Sequence, residues 1–155
     1  VGHSERRQHF KEDDILINKK IKGCLRNNIQ IVLCIGETED QRNLNQTKEV
    51  LERQIKEDLR DIDKESINNI VIAYEPVWAI GTGKTPTNQE IDEAIKYIKQ
   101  CVELNCGPNI KVIYGGSVNK GNIVDIMNIS SVDGVLIGSA SNNPNDVLSM
   151  MDMID

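Results

Sequence analysis

Four short runs of apolar, mostly β-branched residues recur along the chain, and between them the apolar residues switch to helical spacing. The runs are IQIVLCIG (Ile29 to Gly36), NIVIAYE (Asn69 to Glu75), IKVIYGG (Ile110 to Gly116) and VDGVLIG (Val132 to Gly138). A strand with one wet face alternates apolar and polar side chains. These runs are close to continuously apolar, which suits parallel strands covered on both faces. Between them, Ile17, Ile21, Cys24 and Leu25 form one helical stripe, and Leu51, Ile55 and Leu59 another. Thr87 and Glu90 make a capping box ahead of Ile91, Ala94, Ile95, Ile98 and Val102,. A shorter helix is expected after Asn119, with Ile123, Ile126 and Met127 inward. A last one is expected after Pro144, using Val147, Leu148 and Met151. The reading is α/β: about four βα units with one helix in front, which close into a doubly wound sheet or a barrel,.

Linkers are short and no low-complexity stretch divides the 155 residues, so residues 1–155 are read as one domain,. With 39% hydrophobic and 27% charged residues the chain is ordinary for a soluble globular protein,. Only 3% are aromatic, so Ile, Val and Leu must build the core. A net charge of −6 leaves no basic stripe for nucleic acid, although backbone N–H groups can still hold a small anion,. No apolar run reaches membrane-spanning length and no signal-peptide pattern opens the chain,. Cys24, Cys34, Cys101 and Cys106 have neither CxxC spacing nor a nearby His. They read as reduced thiols of a cytoplasmic protein rather than a zinc site,. The chain opens on VGHSERR without a Met or a preceding element, which reads as a cut.

The chemistry-bearing residues gather at the C-terminal ends of the runs: Glu37, Glu75, Gly115 to Ser117, and Gly138 with Ser139. That is where both barrels and open α/β sheets bind ligands. GTGKT (Gly81 to Thr85) is not a nucleotide-binding P-loop, because the first glycine of that motif falls on Trp78 and Pro86 interrupts the exit into a helix,. Glu75 ends a buried run before Pro76. Desolvation there raises a carboxyl pKa toward the range of a general base, although a structural Glu paired to a basic side chain would occupy the same place. The following AIGTG suits a mobile lid that approaches a ligand with its backbone, and equally a surface loop. His3 leads into a helical turn whose dipole favours the neutral imidazole; His9 has no such context,. YGGS (Tyr114 to Ser117) and IGSAS (Ile137 to Ser141) are tight turns that could cradle a phosphate,.

Taken together, HSERR, CIGE, AYEPVWAIGTGKT, YGGSV and LIGSAS resemble the triosephosphate isomerases, in order and over essentially the whole chain. The resemblance implies the C-terminal part of a (β/α)8 barrel, from the end of its fourth strand onward. It also implies an isomerase interconverting dihydroxyacetone phosphate and glyceraldehyde 3-phosphate through an enediol, in glycolysis and gluconeogenesis. Glu75 would be the base, His3 the neutral electrophile, and Glu5 the residue that holds the family's catalytic Lys. Pro76, Val77, Trp78, Ala79, Ile80, Gly83, Lys84, Thr85 and Pro86 would belong to the lid. The N–H groups of Gly81, Ser117, Gly138 and Ser139 would hold the phosphate. No metal or organic cofactor is implied, and the parent would be a homodimer.

Three positions depart from the family pattern. Ser139 stands for the second of two adjacent phosphate-binding glycines, and Asn142 for a Leu. Pro86 stands for an Ala whose N–H the latch residue Tyr114 would bond, and Pro has no N–H. A full barrel takes about 250 residues, so roughly 90 to 100 residues of the family pattern are expected upstream, with its substrate-contacting Asn and Lys. The isolated chain is accordingly expected to be inactive. The alternative is a non-catalytic phosphate-binding half-barrel that serves as a structural or interaction piece.

Overall fold

The computed structural model describes residues 1–82, 84–108 and 110–154. Three parallel strands form the sheet: β1 (Ile31–Ile35), β2 (Ile70–Tyr74) and β3 (Lys111–Tyr114). Their spatial order is β1-β2-β3, the order of the chain. Three strands in chain order also occur in one half of a doubly wound sheet, but here Val1 pairs outside β1 and Val135 bridges outside β3. Five successive segments thus lie in chain order without a reversal, as in part of a βα barrel,. Register is continuous across the sheet, with Leu33 beside Ile72 and Ile72 beside Val112.

Helices α1 (Ser4–His9), α2 (Asp14–Arg26), α3 (Glu39–Asn43) and α4 (Thr47–Asp58) flank β1, and α5 (Asn88–Asn105) joins β2 to β3. Beyond β3 lie α6 (Ile123–Met127) and α7 (Pro144–Asp152). α2, α4 and α5 pack side by side, with α4 against β1 and α5 against β3. The capping box at Thr87 forms with both of its bonds, and Ile91, Ala94, Ile95, Ile98 and Val102 are all buried. Ile31, Leu33, Ile35, Ile70, Ile72 and Val112 are buried in the same apolar cluster. The opposite face of the sheet is wetter: Val32 is 38% exposed, and Val71 and Ile113 are half-buried. Among the described residues no helix is long and apolar enough to cross a membrane.

Two expectations need correction. The fourth run, Val132 to Gly138, is not a strand: it meets β3 through a single bridge, Tyr114 to Val135. Backbone bonds run from Asp133 N to Val112 O and from Leu136 N to Tyr114 O. The Val112 N–H, however, is taken by the Asp133 carboxylate at 2.7 Å, so a side chain occupies the place of a backbone rung. The last helix faces otherwise than expected. Met150 is its buried residue, while Leu148 and Met151 are 58% and 52% exposed, because α7 packs on the Ser139–Ser141 turn. Two short helices, α1 and α3, were not legible from apolar spacing.

Candidate functional site

The site is assembled where the sheet's C-terminal end meets the start of α1. Val1 extends the sheet by one short stretch: its ammonium donates to Val32 O, and the Cys34 N–H donates to Val1 O at 2.9 Å. Gly2 then turns the chain at φ +78°, a conformation natural to glycine, and a Cβ there would sit 2.9 Å from Cys34 O,. The turn delivers His3 to the N-cap of α1. There the His3 Nδ1 accepts the Glu5 N–H at 3.4 Å. An acceptor at Nδ1 puts the ring proton on Nε2, which faces Glu75 Oε1 at 3.4 Å,.

Glu75 follows β2 directly, and its backbone N–H donates to Ile35 O at 2.7 Å. Gly36 permits this approach, since any side chain there would collide with the Glu75 carbonyl. The buried Gln54 amide pins Gly36 from behind by bonding both its N–H and its C=O. The Glu75 side chain retains 2% of its surface, and its Oε2 accepts the Ser4 N–H at 3.2 Å. Burial raises its pKa above the usual carboxylate range, partly offset by His3, the Ser4 N–H and Cys34. Gly115 leaves room beside it, as a Cβ at that position would come 2.9 Å from Glu75 Cγ.

A cavity of about 420 Å³ opens in front of this pair, lined by His3, Glu75, Gly81, Ser117, Gly138 and Ser139, with Ile80 and Leu136 as its apolar walls. The sequence names these six positions, and the fold brings them to one cavity that Gly115, Gly116 and Asn119 also line. None of the N–H groups of Gly81, Ser117, Gly138 and Ser139 donates to a protein acceptor among the described residues. The opening is therefore rimmed by free donors, the natural complement of an anion. Ser139 begins a short 3-10 turn that Asn142 ends, and Asn142 is exposed.

The segment expected to be a lid, residues 76–86, is tied to the rest of the fold by specific bonds among the described residues. Pro76 and Pro86 are buried at its ends, and Val77–Ala79 form one 3-10 turn. Ala79 O accepts the Ser117 hydroxyl at 2.5 Å, and Trp78 O accepts the Thr82 hydroxyl at 2.8 Å. Gly81 lies exposed at φ +67°. Lys84 pairs with Glu39 at 2.5 Å, and the neighbouring Thr85 is exposed. Gly83 lies outside the described residues.

Two expected residues stand apart. Glu5 is exposed, and among the described residues its carboxylate makes no ion pair; its contribution to the site is its backbone N–H. Tyr114 is fully buried, and its hydroxyl has no hydrogen-bond partner among the described residues. One residue was missed in a specific role. Glu37 has no exposed surface, and its carboxylate accepts Trp78 Nε1 at 2.8 Å and the Tyr74 hydroxyl at 3.2 Å. Burial raises its pKa despite these donors. The available signal was a carboxylate placed directly after a buried run, the same signal that marked Glu75.

Comparison with known proteins finds one family along the chain. The family model described as Triosephosphate isomerase matches residues 1–154. Relatives named triosephosphate isomerase include one from Alkaliphilus oremlandii, 41% identical over 97% of this chain and 62% of the relative. One from Geotalea uraniireducens is 48% identical over 91% of this chain and 58% of its own length. Another, from Mycoplasmoides gallisepticum, is 42% identical over 98% of this chain and 62% of its own length. The chain thus spans about three fifths of the length of the curated relatives it matches. With a partial βα barrel, a buried carboxylate facing an imidazole, and a match along its whole described length, the chain belongs to the triosephosphate isomerase family.

Proposed function

We propose that the whole protein interconverts dihydroxyacetone phosphate and glyceraldehyde 3-phosphate, with the reacting pair carried by this chain. The observation that carries the reading is the 3.4 Å approach of His3 Nε2 to the buried Glu75 carboxylate inside a cavity rimmed by free N–H groups. With substrate seated between them, Glu75 removes the proton from the carbon next to the carbonyl and returns it to the neighbouring carbon. A pKa raised by burial makes this carboxylate a stronger base than an exposed one,. The Nε2–H of neutral His3 hydrogen-bonds the carbonyl oxygen as negative charge develops on it, and the ring then passes protons between the two oxygens of the enediol.

The phosphate is held by the N–H groups of Gly81, Ser117, Gly138 and Ser139. Movement of the Pro76 to Pro86 lid over the phosphate requires it to leave its bonds to Glu37 and Ser117. Closure excludes water from the enediol and so suppresses loss of phosphate. Residues 1–155 act as one partial barrel. The remaining strands, the Asn and Lys that complete the substrate site, and the homodimer contacts belong to the other two fifths of the family's length. Glu5 orients that Lys, and the protein works in the cytoplasm.

A second reading, a non-catalytic phosphate-binding half-barrel, draws on the chain's 58–62% span of its relatives. A coupled isomerase assay separates the two. Turnover by the full-length protein, reduced at least about a hundredfold by Glu75→Gln, supports the isomerase. Phosphate binding without turnover in either protein supports the half-barrel.

A further inference from the structure

Arg7 sits where a guanidinium is costly to place: its side chain is 15% exposed, directly beneath the turn that presents His3. All its hydrogen-bonding directions but the outermost are used. Nε donates to Gly2 O at 2.9 Å, Nη2 to Cys34 O at 3.2 Å and to Asp58 Oδ2 at 2.6 Å, and Nη1 to Asp14 Oδ1 at 2.6 Å. Two of these acceptors belong to the backbone that carries the reacting pair. Gly2 precedes His3, and Cys34 lies beside Ala73, two residues before Glu75 in the paired strand.

Parallel pairing along β1 runs from Val1 N to Val32 O and from Cys34 N to Val1 O. The next rung would join His3 N–H to Cys34 O. Gly2, at φ +78°, turns the chain away, and that rung is absent among the described residues. Two carbonyl oxygens, Gly2 O and Cys34 O, are left close together, and the guanidinium bonds both. Its other side is fixed by Asp58, which has no exposed surface, and by Asp14, which Arg53 also pairs. Asn18 ties the same turn of α4 to α2 by donating to Asp58 O at 2.9 Å.

We propose that Arg7, anchored by Asp58 and Asp14, is a positioning residue for the His3–Glu75 pair. It replaces the missing backbone rung and thereby sets the imidazole at its distance from the carboxylate. The proposal rests on reading those two side chains as the reacting pair. An error of about 1 Å in such a pair lowers turnover by about a hundredfold.

The test uses the full-length protein with Arg7→Met, Arg7→Lys and, as a control cation that touches Asp14 but neither carbonyl, Arg53→Met. Folded Arg7→Met is expected to lose about 30- to 100-fold in kcat with KM within about threefold. Arg7→Lys, which can reach fewer acceptors with its compact ammonium, should recover part of the loss and remain at least about fivefold slow. Arg53→Met should stay within about twofold. The ring 15N signals of His3, one of two histidines in the chain, should shift in both Arg7 variants and stay in place in Arg53→Met.

Should Arg7→Met not fold, Arg7→Lys decides alone. Wild-type kcat and unshifted His3 signals in Arg7→Lys would overturn the proposal, as would equal kcat losses in Arg53→Met. Wild-type turnover and its loss in Glu75→Gln, measured in parallel, test the isomerase reading itself. If that reading fails, the His3 signals still judge the brace, a shift supporting it and no shift overturning it.

Discussion

Glu75 keeps 2% of its surface, so its protonation is governed first by desolvation, which raises its pKa, with His3 the largest opposing influence,. Because the ionised form is the base, turnover should rise with pH through a raised pKa, and the acid limb of kcat should lie above the usual carboxylate range. A pH-rate profile with its acid limb at about 4.3, the value of a free Glu, would contradict this. Asp58 offers a second pH test. Burial pushes its pKa up to about 6 even beside Arg7. A folded pKa above the unfolded value means the folded state binds the proton more tightly, so this contribution is fully present below pH about 4 and is lost as pH rises to about 6. Asp58→Asn should therefore flatten the stability slope between those values by up to about 3 kcal/mol in paired urea titrations. Tyr114 carries a buried hydroxyl without a partner among the described residues, which costs about 1–3 kcal/mol, so Tyr114→Phe should leave the melting temperature unchanged or raise it,. Glu75 drew notice as a carboxylate ending a buried run and His3 as the residue before a helical turn, but the roles expected of both came from the resemblance of the ordered motifs. The environments of Glu37 and Tyr114 were not legible, because their partners or lack of partners depend on contacts across strands.

Helix α5 was the most legible element: its capping box and apolar stripe agree with each other, and local and tertiary demands coincide there,. Thr87→Ala should cost about 1 kcal/mol, read as a melting temperature lower by about 2–4 °C. Since Thr87 follows Pro86 at the lid's end, the same variant should loosen the lid's exit. The segment expected to be a lid was legible as a loop, while its bonds were not. Trp78 Nε1 on Glu37 and the Arg42 guanidinium 4.1 Å from the Trp78 ring centre join residues far apart in sequence. As Trp78 is the sole tryptophan of these 155 residues, its fluorescence contribution should change when a triose-phosphate analogue binds, and Glu37→Gln should shift the starting signal. The fourth run was misread because its composition is that of a strand. Its pairing is limited by the Asp133 carboxylate taking the Val112 N–H, which composition does not encode.

Across the molecule, one face of the sheet lies under α2, α4 and α5, and the other presents Val32, Val71 and Ile113. Beyond the short Val1 pairing on one side and the single Val135 bridge on the other, the sheet has no further strands among the described residues. Parallel sheets are stable when both faces are covered and their edges paired. The 155-residue chain on its own should therefore self-associate in sedimentation velocity, and a sharp monomeric unfolding transition would count against that expectation. Alternation of strand and helix made the α/β class legible. The choice of barrel over open sheet needed the strand order, which no local pattern contains. Proton abstraction by Glu75 is the central step of the proposed reaction, and deuterium incorporation reads it. Dihydroxyacetone phosphate is incubated in D2O with the full-length protein and followed by 1H NMR. Deuterium should enter the carbon-bound positions of the triose phosphates with wild-type protein and fall at least about a hundredfold with folded Glu75→Gln. Undiminished incorporation by Glu75→Gln would show that another group takes the proton.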